Sequence, residues 1–499
     1  MNSLSKPLNS LDIIDHLDAQ SASLVAVSSG DKSLSYAELK TQVIALSKWF
    51  KTEKINSVCI DLENTLDWVI IDLAAQHADI ICTPVPQFFA SEQREHLYSQ
   101  VKPDLIFSHE ANDLANNDLA NSELDLPMLG CYISRLTQQA LATSPFGTSK
   151  ITFTSGTTGA PKGVCLSRDN QMLVASALAS VIGIKSPKHL VLLPLATLLE
   201  NVAGIYAPLI SGGHIIIPSD VEKGFVGSKL SNVQALLACI TQHKANSIIL
   251  VPELLQVLVM SCKGGWQAPA SLRFIAVGGA KVSPELIQQA RSYGLPVYQG
   301  YGLSECASVV SLCASIDTPL NSVGKLLPHL KGKVENARLH VSGNAFLGYI
   351  ADPQSWYPEW IDTGDIASLE HGHLYINGRA KNIIINSFGR NISPEWVESR
   401  IAATGLFSQI MVLGDNQRHL LAILCPASRG VTKSHIETAL SKVNQSLPDY
   451  AQVLSHIVIS NPLNESQGLV TANGRLKREQ VQTYFADQID QAYQLQTAI

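Results

Sequence analysis

Ten residues, Thr154-Ser155-Gly156-Thr157-Thr158-Gly159-Ala160-Pro161-Lys162-Gly163, hold four hydroxyl side chains, three glycines and one lysine. Small residues let a loop turn several backbone N–H groups toward one point. Hydroxyls and an ammonium add donors, and the chemistry this suits is polyphosphate binding. The loop is not a Walker motif, because Pro161 stands where the second glycine would have to be. Taken alone, a flexible turn between two elements is the simpler reading. Two more small-residue segments come after short apolar runs: Gly278-Gly279-Ala280 after residues 274–277, and Gln299-Gly300-Tyr301-Gly302-Leu303-Ser304-Glu305 after residues 296–298.

The surrounding elements decide whether these segments meet. Ser35 with Glu38 three residues on is a capping box opening a helix. Strands are predicted at 58–60, 80–83, 189–193, 214–217, 247–251 and 274–277. Helices are predicted at 67–77, 172–182, 233–243 and 253–261, with another after Pro194–Asn201 and one from Ser283-Pro284. Alternation of strand and helix implies a parallel α/β sheet. Ligands of such sheets lie beyond the carboxyl ends of strands, so the three segments are expected to converge on one crevice. From about Gly324 the pattern changes to short strands and turns. Asp362-Thr363-Gly364-Asp365 precedes a hairpin turned at Glu370-His371-Gly372, and Asn377-Gly378 reads as a further turn. A boundary is expected near Lys381, giving domains 1–380 and 381–499. The second reads as α+β, with a Ser393-capped helix, a hairpin at Gly414-Asp415, and a helix carrying Ile436, Leu440, Val443 and Leu447. The pentapeptide Asn-Asp-Leu-Ala-Asn occurs twice between Asn112 and Asn121 and reads as a surface insertion.

At 499 residues, two to four domains are expected. Hydrophobic content of 46% and charged content of 16% describe a globular chain. A net charge of −6, with scattered Lys and Arg, gives no basis for a nucleic-acid partner. The nine cysteines are odd in number and lack Cys-x-x-Cys spacing, so reduced thiols in a cytoplasmic protein are expected, without a structural zinc site. Asp12 and Asp15 interrupt the first apolar stretch, unlike a signal peptide. The longest uncharged stretch, between Glu200 and Asp220, is broken by Pro208, Gly212, Gly213 and Pro218, so no transmembrane segment is expected.

Five segments in order resemble the motifs of the adenylate-forming superfamily of acyl-CoA synthetases, luciferases and peptide synthetase adenylation domains. They are Thr154–Gly163, Tyr301-Gly-Leu-Ser-Glu305, Asp362-Thr-Gly-Asp365, Gly378-Arg-Ala-Lys381 and Asn473-Gly-Arg-Leu-Lys-Arg478. The resemblance implies a large N-terminal α/β domain with a small distorted barrel, and a small mobile α+β C-terminal domain. It implies that a carboxylate attacks the α-phosphate of ATP·Mg²⁺, giving an acyl-adenylate and pyrophosphate, and that a thiol then displaces AMP. The thiol is coenzyme A or a carrier protein's phosphopantetheine. By motif position, Thr154, Ser155, Gly156, Thr157, Thr158 and Gly159 would hold phosphates, with Lys162 nearby. Glu305 would ligate Mg²⁺. Tyr301, Gly302 and Ser304 would line the nucleotide, with Tyr301 stacking on adenine and Gly278, Gly279 and Ala280 at its edge. Asp365 would accept from the ribose hydroxyls, Arg379 would support ribose or phosphate, and Lys381 would be the hinge.

The departure that matters is Arg475, which stands where the family carries a lysine reaching the α-phosphate and carboxylate. Arginine keeps the charge with a different geometry, and Lys477 is the alternative cation. Segment 343–349 is shorter than the family's version and is assigned no role. Small and aliphatic residues at 195–202 and 277–280, with Gly300, suggest a fatty or other apolar acid. Gly389-Arg-Asn-Ile-Ser-Pro-Glu395 resembles fatty acyl-CoA synthetases. An acyl-acyl-carrier-protein ligase is one alternative. A degenerate nucleotide-binding homologue, motivated by Arg475, is the other.

Overall fold

The computed structural model describes residues 12–110, 129–136, 143–154, 161–227, 229–471 and 474–497. Two large sheets dominate. One has nine strands, whose middle six are parallel: Val25–Ser29, His214–Ile216, Lys188–Leu190, Ser247–Leu250, Phe274–Val277 and Val297–Leu303. Antiparallel strands close both edges. The second has seven strands, with Lys150–Thr154, Ile81–Pro84, Ser57–Asp61 and Leu105–Ser108 parallel at its centre. Helices Tyr36–Thr52, Leu66–Ala78 and Arg168–Ile182 pack in one apolar core that draws on both sheets. The outer faces are covered by helices Val233–His243, Pro252–Lys263 and Pro284–Ser292 on one side and Ser91–Val101 on the other. Burial on both faces explains strands that are uninterrupted apolar runs, such as Ile248, Ile249 and Leu250.

The expected helices form, and their caps explain where they start. Ser35 and Glu38 make the reciprocal capping box, and Ser283 caps a helix whose first residue is Pro284. The region expected to hold a small barrel contributes a four-stranded antiparallel sheet of Lys331–Glu335, Arg338–Ser342, Ile361–Glu370 and His373–Arg379. Its two-residue turn at His371-Gly372 has positive φ at both positions, as the twist of a tight hairpin requires. Residues 384–489 build two further apolar clusters around strands Phe407–Leu413, Leu420–Pro426 and Val453–Val458.

Three sequence expectations are corrected. Residues 299–303 are not a loop. Strand Val297–Leu303 runs through them, because its partner Ser308–Leu312 comes close enough that a Cβ at Gly302 would collide with the Ser308 carbonyl. Asn377-Gly378 is not a turn. It lies within His373–Arg379 at a register shift, where Gly378 lets the Ser393 side chain approach. The helix after Pro194 is not uniform: Leu198–Glu200 is α, Asn201–Tyr206 is π and Ala207–Ile210 is α. The Asn-Asp-Leu-Ala-Asn pair lies outside the described residues. No helix among the described residues is long and apolar enough to cross a membrane.

Candidate functional site

A cavity of about 1030 Å³ lies at the carboxyl ends of the parallel strands of the nine-stranded sheet, lined in part by Gly278, Gly279, Ala280, Tyr301, Gly302 and Ser304. Convergence is set by topology: Phe274–Val277 and Val297–Leu303 are adjacent and parallel, so the chain leaves both strands at the same end of the sheet. Gly279 takes φ +84°, which a side chain would resist, and its carbonyl faces the C-terminal region.

From Tyr301, which lines the cavity, a chain of polar groups runs outward. The Tyr301 hydroxyl donates to Asp365 Oδ2 at 2.5 Å, Arg379 Nε lies 2.9 Å from Asp365 Oδ1, and Arg379 Nη1 donates to the Thr363 carbonyl at 2.9 Å. Pairing of Ile361–Glu370 with His373–Arg379 sets Asp365 opposite Arg379. Burial raises the Asp365 carboxyl above its usual range, while Arg379 and the Tyr301 hydroxyl pull it back. The Tyr301 phenol is raised by burial and by the Asp365 carboxylate. The raised Tyr301 phenol keeps its proton at neutral pH and is the donor in this pair.

Arg475 closes the cavity from the other side. Its Nη2 donates to the Gly279 carbonyl at 2.8 Å, across 196 residues of sequence. Its backbone is pinned to Thr471, whose Oγ1 accepts the Arg475 N–H and whose N–H bonds the Arg475 carbonyl. Arg475 as a whole keeps contact with solvent, yet desolvation of its guanidinium and then the like charge of Arg379 lower its pKa, with Glu253 opposing. The like charge of Arg379 and the exposure of Arg475 at the cavity make the neighbourhood one that would favour an anion. Gly474 and Arg475 line the cavity, whereas Lys477 only precedes helix Arg478–Tyr484.

Glu305 presents a carboxylate with one hydroxyl beside it. Glu305 lies in the short 3₁₀ turn Ser304–Cys306, and the Tyr349 hydroxyl donates to its Oε1 at 2.8 Å. The Lys162 ammonium lies 5.2 Å from the centre of the same Tyr349 ring. Thr154 ends its strand hydrogen-bonded to the Lys162 carbonyl. Ser155, Gly156, Thr157, Thr158 and Gly159 lie outside the described residues. Lys381 sits in the 3₁₀ turn Ala380–Asn382, between the four-stranded sheet and the C-terminal clusters.

Sequence reading passed over Tyr349, which lies in the segment assigned no role. It also missed two buried networks, one behind the cavity and one that reaches its lining at His189 and Ser247. In one, Lys150 Nζ lies 2.7 Å from Asp72 Oδ1 and also contacts Asn201 Oδ1, while the Tyr206 hydroxyl and Asn201 donate to Asp72 Oδ2 at 2.6 and 2.9 Å. In the other, His189 Nε2 lies 2.9 Å from Glu200 Oε1 and its Nδ1 lies 2.9 Å from Ser247 Oγ. Both anchor the α–π–α segment that supplies Leu198, Leu199 and Ala203 to the cavity. No local pattern in the sequence pairs these residues.

The AMP-binding enzyme family model matches residues 15–348, and the model for the AMP-binding enzyme C-terminal domain matches residues 381–497. A long-chain-fatty-acid–CoA ligase of Mycobacterium bovis is 22% identical, with 86% of each chain covered. A 2-succinylbenzoate–CoA ligase of Staphylococcus epidermidis is 31% identical over 50% of this chain and 53% of that one. Among solved structures, the o-succinylbenzoate CoA synthetase of Bacillus subtilis in complex with its acyl-adenylate intermediate superposes with a TM-score of 0.73. It is 20% identical, with 94% of this chain and 97% of that one covered. The anthranilate CoA ligase bound to anthranoyl-AMP gives a TM-score of 0.78 at 16% identity, covering 97% and 99%. At these identities the structural likeness establishes the fold.

Proposed function

Because the chain belongs to the AMP-binding enzyme family, with CoA ligases among its relatives, we propose that it converts a fatty or other apolar carboxylic acid into an acyl-adenylate and then a coenzyme A thioester. The observation that carries this reading is the cavity itself: Arg475 closes onto Gly279 at one end, and aliphatic residues such as Leu178, Ile182, Ile184 and Leu312 line it farther in.

Carboxylate and ATP are both anionic, so the first task of the site is to offset their repulsion. Arg475 meets the α-phosphate and the incoming carboxylate oxygen, while Arg379 supports the ribose or a phosphate. Asp365, kept in place by Tyr301 and Arg379, accepts from the ribose hydroxyls. Tyr301 and the 278–280 turn frame the adenine. The residues 154–159, with Lys162, hold the outgoing pyrophosphate. Attack of a carboxylate oxygen on the α-phosphorus breaks the bond to the β-phosphate bridging oxygen and releases pyrophosphate. The thiol then attacks the acyl carbon, and AMP leaves with the oxygen that came from the acid. The Glu305 carboxylate and the Tyr349 hydroxyl beside it are oxygen donors of the kind Mg²⁺ takes, and the ion would neutralise phosphate charge there. Residues 381–499 form a mobile domain that turns at Lys381 between the two half-reactions.

Pyrophosphate release with ATP and a panel of saturated fatty acids, benzoate and 2-succinylbenzoate tests the substrate class. Release that grows with aliphatic chain length supports the reading, and release with the aromatic acids alone overturns the fatty assignment. Capture of the acyl group by coenzyme A rather than by a phosphopantetheinylated carrier protein tests the acceptor. No release with any acid would support a degenerate nucleotide-binding homologue.

A further inference from the structure

On the outer face of the nine-stranded sheet, we propose that Glu222, Cys239 and His243 bind a zinc-type divalent cation. Cys239 and His243 stand four residues apart on helix Val233–His243 and so share one face of it. The Cys-x-x-Cys spacing missing from the sequence is not needed when a histidine one turn on supplies the second ligand.

Glu222 comes from the turn before Phe225 and faces the same side: the nearest ligand atoms of the three residues all lie within 4.8 Å of one another, and His243 Nε2 is 2.6 Å from Glu222 Oε1. The turn is held by its own backbone. Gly224 takes φ +78°, a Cβ there would collide with the Asn232 carbonyl, and the Gly224 carbonyl accepts N–H groups from Ser231 at 2.9 Å and Asn232 at 3.0 Å. The turn's backbone is thus set, and the contact with His243 keeps the carboxylate beside the helix. Zinc bonds of about 2.0–2.3 Å in a tetrahedron set neighbouring ligand atoms roughly 3.3–3.8 Å apart, so the His–Glu pair has to widen by less than about 1 Å.

The donor set selects the ion. Thiolate, imidazole and carboxylate together suit a borderline-soft cation, unlike the Glu305 carboxylate, a hard oxygen donor of the kind Mg²⁺ takes. On binding, the Cys239 S–H bond breaks, the metal–sulfur bond forms and the proton leaves to solvent. Thiolate and carboxylate then balance the two positive charges. The nearby Lys223 ammonium is already engaged, 2.9 Å from Asp220 Oδ1 and over the Phe225 ring. Cys239 is buried, whereas the Glu222 and His243 side chains are about a third exposed, at 34% and 28%. That opening is the entry path and leaves room for water as fourth ligand. The segment carrying Glu222 also gives Asp220, Lys223 and Phe225 to the cavity. A bound ion would thus stiffen that wall, a consequence that rests on the function proposed above, whereas the site does not.

Cobalt(II) titration of chelator-treated enzyme is the test. The wild type should show a near-ultraviolet thiolate-to-cobalt charge-transfer band that one equivalent of Zn²⁺ abolishes. Cys239→Ser should lack the band. His243→Ala, a change at a partly exposed position, should weaken zinc affinity by about tenfold or more in a chelator competition. No thiolate band in the wild type, a band that survives Cys239→Ser, or unchanged zinc affinity in His243→Ala would overturn the proposal. The His243→Ala arm decides the matter even if Cys239→Ser fails to fold.

Discussion

Two carboxylate–cation pairs, one buried behind the cavity and one beside its lining residue Tyr301, have similar bond lengths and opposite surroundings. Lys150 and Asp72 lie 2.7 Å apart with side-chain exposures of 2% and 1%, and Asn201 and Tyr206 complete their hydrogen bonds. Arg379 and Asp365 lie 2.9 Å apart, but the arginine is 48% exposed and the carboxylate 5%. The inner pair has its charges saturated by protein and can only hold structure. The outer pair has one open side where another group can bind. A salt bridge alone says little about role, and the difference lies in whether the cation's remaining donors are already used.

That contrast is open to mutation. Lys150→Met should be the most damaging change, because it strands the Asp72 carboxylate in the core. Urea unfolding should show a loss of about 3–5 kcal/mol, part of which returns when Asp72→Leu is added. Arg475→Ala should leave the melting temperature near wild type and slow acyl-adenylate formation by roughly 10²–10³-fold, the effect of deleting one preorganised donor to developing charge. Thioester formation from preformed acyl-adenylate should change far less, and single-turnover assays separate the two steps. Asp365→Ala should weaken ATP binding by about 1.5–3 kcal/mol, read as a rise in KM for ATP. If Asp365→Ala instead unfolds the protein as Lys150→Met does, the contrast between inner and outer pairs fails.

A pH-dependent effect is expected at Lys281, which belongs to neither pair. It donates to the Ile376 carbonyl at 3.1 Å, and burial lowers its pKa from 10.5 to about 8. Below pH 8 the lysine is protonated in both states, and the burial cost is fully present. Between pH 8 and 10.5 the folded state has released its proton and the unfolded state has not, so stability rises with pH through that window. Lys281→Met should remove this rise, measured as the difference between the two proteins' unfolding free energies from pH 7 to 11.

Much of the scaffold was legible because its signals are local. Capping at Ser35 and Ser283 and the apolar run 274–277 depend on neighbours a few residues away. The strand through Tyr301 was not legible, since its small residues look like a loop until Ser308 is seen packed against Gly302. The π segment at Asn201–Tyr206 depends on Lys150 and Asp72, residues far away in sequence, and the Tyr349–Glu305 bond spans 44 residues. The motif residues Gly278–Ala280, Tyr301, Asp365, Arg379 and Arg475 were singled out by resemblance; the structure brings Gly278–Ala280, Tyr301 and Arg475 to one cavity and joins Asp365 and Arg379 to Tyr301 beside it. What motif spacing did not carry is the pairing among them, above all the reach of Arg475 to Gly279.

An enzyme of this family activates its acid by joining the carboxylate to AMP. Incubation of the enzyme with ATP, coenzyme A and a fatty acid carrying ¹⁸O in both carboxylate oxygens tests it most directly, with AMP read by mass spectrometry. The account predicts AMP carrying one ¹⁸O on its phosphate, delivered by the acid. Unlabelled AMP, or ADP in its place, would contradict it.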